Sequence, residues 1–439
     1  MSVLLNLFRD FALEHDFAHK AFIVGGTVRD FLLGRQIKDA DIAVNKDAIG
    51  IGRSLASAVK GSFVVLDDDY GIVRVVKGSE HIDICAMRGN SISDDLAERD
   101  LSINAMAIPL SASIIQESLQ GNYDLKQFII DPHNGCRDLK YGIIRMVSEQ
   151  NLIKDPLRLL RIYRFAAELN FTVDAHTSSA VHANAALISQ SAVERITNEL
   201  KHTMQSASSY NIIKDMEKSS LLFHLFPEFL QYPDGLWRQT RHSYRYMEHI
   251  LLNLDLYFPD RCSPIQDYIS VGSRSFCLKL ATLFEDSKVA EKISGRLKLS
   301  RLETDFITML TANDNIPIIL DETTKRPIIH QMKGIGDNIY AVTIYSLATK
   351  RICQLSESSL VSTAREIVRM YQEDFMPRYR NLPLINGNDL TSEFRLSPSP
   401  LFKEILSAIE MLVLEGKIKT RLEALAEAQK IIAAKKTYQ

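Results

Sequence analysis

The chain has 439 residues, 46% hydrophobic and 24% charged, with a formal net charge of −2. That balance excludes a disordered or fibrous polypeptide, and no stretch approaches the roughly 20 continuous apolar residues that a membrane-spanning helix needs. A chain this long exceeds what one hydrophobic core sustains, so two to four folding units are expected, and near-neutral charge means that any nucleic-acid partner must be held by local patches of Lys and Arg.

In chain order, "MSVLLNLFRDFALEHDF" reads as an ordinary amphipathic helix, because Arg9, Asp10, Glu14 and Asp16 interrupt its apolar patch. β-like runs follow, "AFIVG", "DADIAV", "SFVVL", "IVRVV" and "IDICAM", alternating with helical segments and with a Gly-Ser turn at residues 78–79. From about residue 148 strand signals nearly vanish, and apolar residues recur at three- and four-residue spacing. The pattern predicts an α+β chain: an α/β head built on a mixed sheet, followed by an all-helical remainder. Breaks are expected at 226–235, 314–317 and 376–389, where Pro, Gly and Asn concentrate. Cys85, Cys136, Cys262, Cys277 and Cys353 show neither CxxC nor Cys/His ligand spacing, which argues against a zinc site and a disulfide framework and makes the cytoplasm the expected compartment.

The chemistry concentrates in "FIVGGTVRDFLLGRQIKDADIAV", residues 22–44. Phe22 to Val24 read as a strand, Gly25-Gly26 as a turn, and "TVRDFLLG" as a helix with Val28, Phe31 and Leu32 on one face and Gly34 at its end. Glycine lets backbone approach a ligand, and N–H groups at a helix start favour phosphate. "DADIAV", as a strand, puts Asp39 and Asp41 on one face and Ile42 and Val44 on the other, so two carboxylates stand where both can reach one hard cation, with Mg²⁺ the natural guest. Taken singly, a GG turn or an Asp-x-Asp pair is more often an ordinary turn or a solvated strand face. Together they suit nucleotidyl transfer, in which cations stabilise the attacking and leaving oxygens. "HIDICAM" supplies a third carboxylate, Asp83, on a strand expected to pair with "IVRVV".

These residues resemble the class II tRNA nucleotidyltransferase and bacterial poly(A) polymerase family, whose head carries GGxVRDxLLGR followed by DxD; here Gly25, Gly26, Arg29, Asp30, Gly34, Arg35, Asp39 and Asp41 fit. "ERDLSINAMA" (98–107) is similar to the family's RRDFTINAMA, implying ribose recognition and triphosphate positioning through Arg99, Asp100 and Asn104. "DPHNGCRDLKYGIIRMV" (131–147) resembles the hinge between head and neck, and "ERITNEL" (194–200) the helix-packing element supporting the neck. The nucleotide-selecting EDxxR element corresponds to Asp155 and Arg158, with Lys154 replacing the glutamate. Asp155 can accept from an exocyclic amine and Arg158 can donate to a ring nitrogen, which suits cytosine and adenine but leaves the carbonyl of uracil facing a carboxylate. Asp155 before Pro156 also reads as a helix N-cap, and both roles can hold together. Arg161 and Arg164 continue at three-residue steps, either toward phosphates or as a solvated face.

The resemblance implies a nucleotidyltransferase head over residues 1–147, a helical neck with the selecting element over 148–205, a helical body like a degenerate HD domain over 206–380, and a helical tRNA-binding tail over 381–439. In the body, Glu285-Asp286 stands where a metal-dependent phosphohydrolase has His-Asp, so a scaffold without hydrolase activity is expected, with His242 and His249 as surface or core histidines. Arg238, Arg241 and Arg245, interleaved with Trp237, Tyr244 and Tyr246, suit either an RNA-contacting patch or an amphipathic packing helix. In the tail, PSP (398–400) stands for a more usual PGP, and Lys403, Lys417, Lys419 and Arg421 are compatible with backbone contacts.

The implied partners are tRNA, CTP and, in some members, ATP. Asp39 and Asp41 would bind Mg²⁺ and Asp83 would assist activation of the tRNA 3′-hydroxyl. Only 15 residues separate Asp83 from Arg99, shorter than the loop that lets members of this family switch from cytosine to adenine, so the expected activity is CC addition. The alternatives are a complete CCA-adding or A-adding enzyme, a poly(A) polymerase, and a catalytically inactive RNA-binding protein.

Overall fold

The alternating apolar runs of the first third form a six-stranded mixed sheet in the computed structural model, which describes residues 3–37, 39–45, 47–68, 71–111, 125–312, 322–350 and 357–436. Cys353 and the break expected at 314–317 lie outside these residues. The strands are β1 (Ala21–Val24), β2 (Asp39–Val44), β3 (Ser62–Asp67), β4 (Ile72–Lys77), β5 (Glu80–Ala86) and β6 (Ala107–Pro109), in spatial order β3-β4-β5-β2-β1-β6. Within this sheet only β2 and β5 pair in parallel, and β4 and β5 form the expected hairpin around residues 78–79.

Period-two alternation sorts the sheet's two faces. Ala40, Ile42, Val44, Val73, Val75, Ile82 and Ile84 are buried on one side beneath helices α1 (Val3–Glu14) and α3 (Ala48–Val59). Helix α1 contributes Leu4, Leu5, Phe8 and Phe11 to that core, each such side chain worth about 1.5–3 kcal/mol when fully buried. Its first N–H groups, which no helical carbonyl can satisfy, donate to the Glu80 carboxylate at 3.2 Å from Val3 and 2.8 Å from Leu4. Helix α2 (Gly26–Leu32) follows β1 as expected, with Phe31 and Leu32 packed on the same core and Gly34 just past its end at φ +69°. The opposite face of the sheet carries the polar residues and is partly covered by α4 (Ile92–Ala97), whose Leu96 packs with Val24, Ala43, Ala105 and Ala107.

The chain divides into two compact units, Met1–Pro227 and Glu228–Gln439, at a point inside the segment singled out at 226–235. In the first unit, α5 (Gly135–Tyr141), α6 (Glu149–Lys154), α7 (Leu157–Leu169), α8 (Ala175–Asn184) and α9 (Val193–Gln205) follow the head. Leu159, Leu160 and Tyr163 of α7 and Ile196, Leu200 and Met204 of α9 are buried as these helices pack together. One exception to the helical remainder is a short parallel pair, β7 (Ile143–Ile144) with β8 (Thr172–Val173).

The second unit is helical throughout its described residues. On the helix Asp234–Leu252, Tyr244 is fully buried while Arg238 and Arg245 are exposed, so part of the arginine and aromatic stripe packs inward. His242 and His249 lie on the surface, and His249 Nδ1 sits 3.0 Å from the Tyr257 hydroxyl. Asp286 caps the helix Ser287–Arg296 by accepting from the Val289 N–H at 2.9 Å. Ile385, Leu390, Ile405, Ile409, Val413 and Ile432 form a separate small core in the last fifty-odd residues.

Candidate active site

The polar face of the sheet opens into a cleft whose two connected parts have volumes of about 390 and 360 Å³. Gly25, Gly26, Arg29, Asp41, Asp83, Asn104 and Arg164 line the first, Asp155, Arg158 and Arg195 the second, and Arg99, Asp100 and Arg161 both. Of the residues assigned from the sequence to catalysis, metal or nucleotide, only Asp39 is not in this lining.

Strand β1 enters the cleft at Gly25, which adopts φ +66° as the N-cap of α2. A Cβ there would lie 2.8 Å from Arg99 Nη1 and 3.4 Å from Asp41 Oδ2, so both backbone angle and space demand glycine. The Thr27 hydroxyl accepts from the Asp41 N–H at 2.7 Å, tying the start of α2 to β2. With seven residues, α2 is a short helix, and Arg29, Arg99, Arg161 and Arg164 bring guanidinium groups to the cleft beside it.

Parallel pairing puts Asp41 directly opposite Asp83. Burial raises the Asp41 carboxyl above its ordinary value and the Asp83 charge raises it further, while Arg99 and Arg29 work in the opposite sense. The antiparallel register on the other side sets Arg74 opposite Asp83, and the two form a bidentate pair with both contacts at 2.7 Å. Asp39, two residues before Asp41 on the same face, is mostly exposed and lies 2.7 Å from His81 Nδ1. Among the described residues no three His, Cys, Asp or Glu side chains are grouped closely enough to hold a metal ion. The oxygen donors of Asp39 and Asp41 nevertheless suit a hard divalent cation, whose charge would offset the mutual repulsion of the buried Asp41 and its neighbour Asp83.

A second layer of charge orders the cations. Asp100 is buried and accepts from Arg161 (2.7 and 2.8 Å), the Leu101 N–H (2.8 Å) and the Asn104 amide (3.2 Å). Burial opposes its ionisation, but the summed pull of Arg161, Asn104 and Arg158 outweighs that and leaves the carboxyl down at about 2. Asn104 also accepts from Arg29 at 2.8 Å, and Arg99 is held by the buried Asp95 at 2.9 Å. Arg161 and Arg164 do not form a solvated face: Glu199, from the "ERITNEL" helix α9, lies 2.6 Å from Arg164 and 3.8 Å from Arg161. The Phe165 ring sits among the guanidinium groups of Arg29, Arg161 and Arg164 at 5.2, 5.4 and 4.0 Å.

The reading of Asp155 as a helix cap needs one correction. Asp155 does not cap the following helix; it adopts an extended conformation at the end of α6, and Pro156 precedes α7 without a side-chain cap. Two cations draw its carboxylate away, Arg195 at 3.4 Å and Arg158 at 3.8 Å. Arg158 in turn donates to the Glu98 carbonyl at 2.8 Å.

Sequence reasoning missed Arg74, Asp95, Glu98, Arg195 and Glu199. Arg74 had a readable signal, a lone arginine inside an apolar strand expected to pair with the strand of Asp83. Glu98 and Arg195 meet Asp155 and Arg158 only through tertiary packing.

A sheet face carrying carboxylates, ringed by guanidinium groups and continued by Asp155 and Arg158, fits a nucleotidyltransferase site. Family models match three stretches: the poly(A) polymerase head domain over residues 21–145, the RNA- and SrmB-binding region of polymerase A over 170–232, and tRNA nucleotidyltransferase domain 2 over 340–428. The chain is 31% identical over 418 residues to the CC-adding tRNA nucleotidyltransferase of Synechocystis sp., covering 94% of each, and 27% identical over 444 residues to the A-adding tRNA nucleotidyltransferase of Deinococcus radiodurans, covering 93% of this chain and 95% of the relative. Its fold matches that of the Thermotoga maritima CCA-adding enzyme complexed with tRNA, with a TM-score of 0.68 at 23% identity over 98% of this chain and 95% of the other. The chain belongs to the tRNA nucleotidyltransferase and poly(A) polymerase family, and it is an enzyme of the tRNA nucleotidyltransferase class.

Proposed function

We propose that this nucleotidyltransferase adds two cytidines to the 3′ end of tRNA without a nucleic-acid template and then stops. Arg29, Arg99, Arg161 and Arg164, with the bare backbone of Gly25 and Gly26, hold the triphosphate, and Asp100 and Asn104 fix two of those arginines. Asp155 accepts from the exocyclic amine of cytosine while Arg158 donates to the ring, so uracil, with a carbonyl in place of that amine, meets a carboxylate and is disfavoured. Asp39 and Asp41 would hold Mg²⁺, which supplies charge neutralisation at the reacting phosphate. Asp83, oriented by Arg74 beside Asp41, accepts a hydrogen bond from the attacking 3′-hydroxyl.

The stop after two cytidines rests on one observation. Between Asp83 and Arg99 the chain completes β5 at Ala86, makes a five-residue turn (87–91) and forms α4. The turn is tied down: the Arg88 N–H donates to Asp95, and the Asn90 and Ser91 N–H groups both donate to Asp94, in a capping box. Such a segment leaves no free length to act as a lever that resets Asp155 and Arg158 from cytosine to adenine. The similarity to a CC-adding relative over nearly the whole chain supports the same reading. Incubating the enzyme with CTP and ATP and a tRNA lacking its CCA end tests it. Products ending in CC support the proposal, and efficient terminal AMP addition overturns it in favour of a complete CCA-adding or an A-adding enzyme.

A further inference from the structure

Three side chains of the segment that carries Asp155 and Arg158 grip three consecutive residues of the head. Asn151, buried on α6, donates through one amide nitrogen to the carbonyls of Ala97 (2.7 Å) and Arg99 (2.8 Å). Arg158 donates to the carbonyl of the residue between them, Glu98. Lys154 Nζ reaches both carboxylate oxygens of the same Glu98, each at 2.9 Å. The base-reading arginine and the lysine therefore converge on one residue, the arginine on its backbone and the lysine on its charge.

That convergence poses an electrostatic problem. The Glu98 carboxylate lies in the electrostatic field of a guanidinium that must stay aimed into the cleft, and a charge-assisted contact is stronger than a bond to a neutral carbonyl. Without a competing cation the carboxylate would draw Arg158 out of its reading position. Lys154 occupies both oxygens and removes the competition. The Glu98 carboxyl is held below its ordinary value chiefly by Lys154, with smaller effects from Arg88 and Arg158, which places all three cations in the field of this one acid.

We propose that Lys154 is a specificity-determining positioning residue: by neutralising Glu98 it keeps Arg158 directed at the nucleotide base. The proposal rests on the reading of Arg158 as a base-selecting residue. It does not depend on whether addition ends at CC or CCA. Its effect passes through Glu98 to Arg158. Because Lys154 is exposed and Glu98 half-buried at the surface, the pair has the modest strength of a surface ion pair, roughly 0.4–1 kcal/mol. Removing the lysine should therefore change selectivity by about two- to fivefold, the range that such a coupling produces.

The test compares incorporation of CTP and UTP into a tRNA lacking its CCA end, as a ratio of kcat/KM values, so that altered tRNA binding cancels. Lys154→Met should lower the CTP-to-UTP ratio about two- to fivefold, and Glu98→Gln added to it should restore the ratio, because the competing charge is then gone. A merely structural loss would not be repaired by removing a second polar partner. An unchanged ratio in Lys154→Met, or a lowered ratio that Glu98→Gln fails to restore, overturns the proposal. Arg158→Ala, assayed alongside, tests the premise separately: if it lowers CTP and UTP incorporation equally, Arg158 does not read the base and the inference fails for that reason. If it erodes the ratio more than Lys154→Met does, the premise holds.

Discussion

Asp100 offers a quantitative handle on the cleft, because one buried carboxylate holds Arg161 in place. Consider Asp100→Asn. The wild-type carboxyl lies at about 2 in the folded chain against 3.8 for an unperturbed aspartate, so folding binds the ionised form more strongly. A depression of that size corresponds to about 2–3 kcal/mol of stability at neutral pH. For a group whose folded value is depressed, the contribution is complete above about pH 4 and disappears as pH falls through about 2. The side chain is only 7% exposed, so solvent screening removes little of it. The asparagine variant should thus be less stable than wild type by about 2–3 kcal/mol at pH 7, a drop of roughly 1 M in the urea midpoint. The two should converge toward pH 2. Urea unfolding followed by circular dichroism, with proteolytic fragments assigning the transition to Met1–Pro227, measures both quantities. Equal stabilities at pH 7, or a difference that persists undiminished to pH 2, would show that the Asp100 charge does not hold Arg161.

Other perturbations test other parts of the site. Because burial and Asp83 raise the Asp41 carboxyl, it should titrate above an ordinary aspartate when followed by carboxyl NMR in the absence of divalent cations, and Arg74→Ala, which leaves the Asp83 charge unpaired beside it, should raise it further; a titration that moves down contradicts the assignment. Gly25→Ala should cost about 1–3 kcal/mol of strain and displace Arg99, visible as a lower Tm with a raised KM for CTP. In the second unit, Asp286→Ala should remove about 1 kcal/mol with its helix cap. Neither that variant nor wild type should hydrolyse cyclic nucleotides or nucleoside monophosphates, and metal-dependent hydrolysis lost with Asp286 would show the body to be an enzyme.

What the sequence revealed of the site, and what it hid, follows from the range of the interactions. Period-two alternation was enough to place Asp39 and Asp41 on one face of β2 and to bring the strand of Asp83 against "IVRVV", since strand faces and hairpin pairing are local. The parallel alignment of β2 with β5, which sets Asp41 opposite Asp83, joins strands separated by more than thirty residues, and no local pattern encodes that register. Asp155 shows the converse. Its place before Pro156 is a sound capping signal, and it failed because Arg195 and Arg158 compete for the same carboxylate. The "ERITNEL" helix was legible as a support for the neck. That its Glu199 also neutralises Arg164 depends on how α7 and α9 pack.

Replacing two of the head's carboxylates probes their proposed part in nucleotidyl transfer. A protein carrying both Asp39→Ala and Asp41→Ala, with circular dichroism and tRNA binding matching wild type, should incorporate no CTP into a tRNA lacking its CCA end. Incorporation at the wild-type rate would contradict the account.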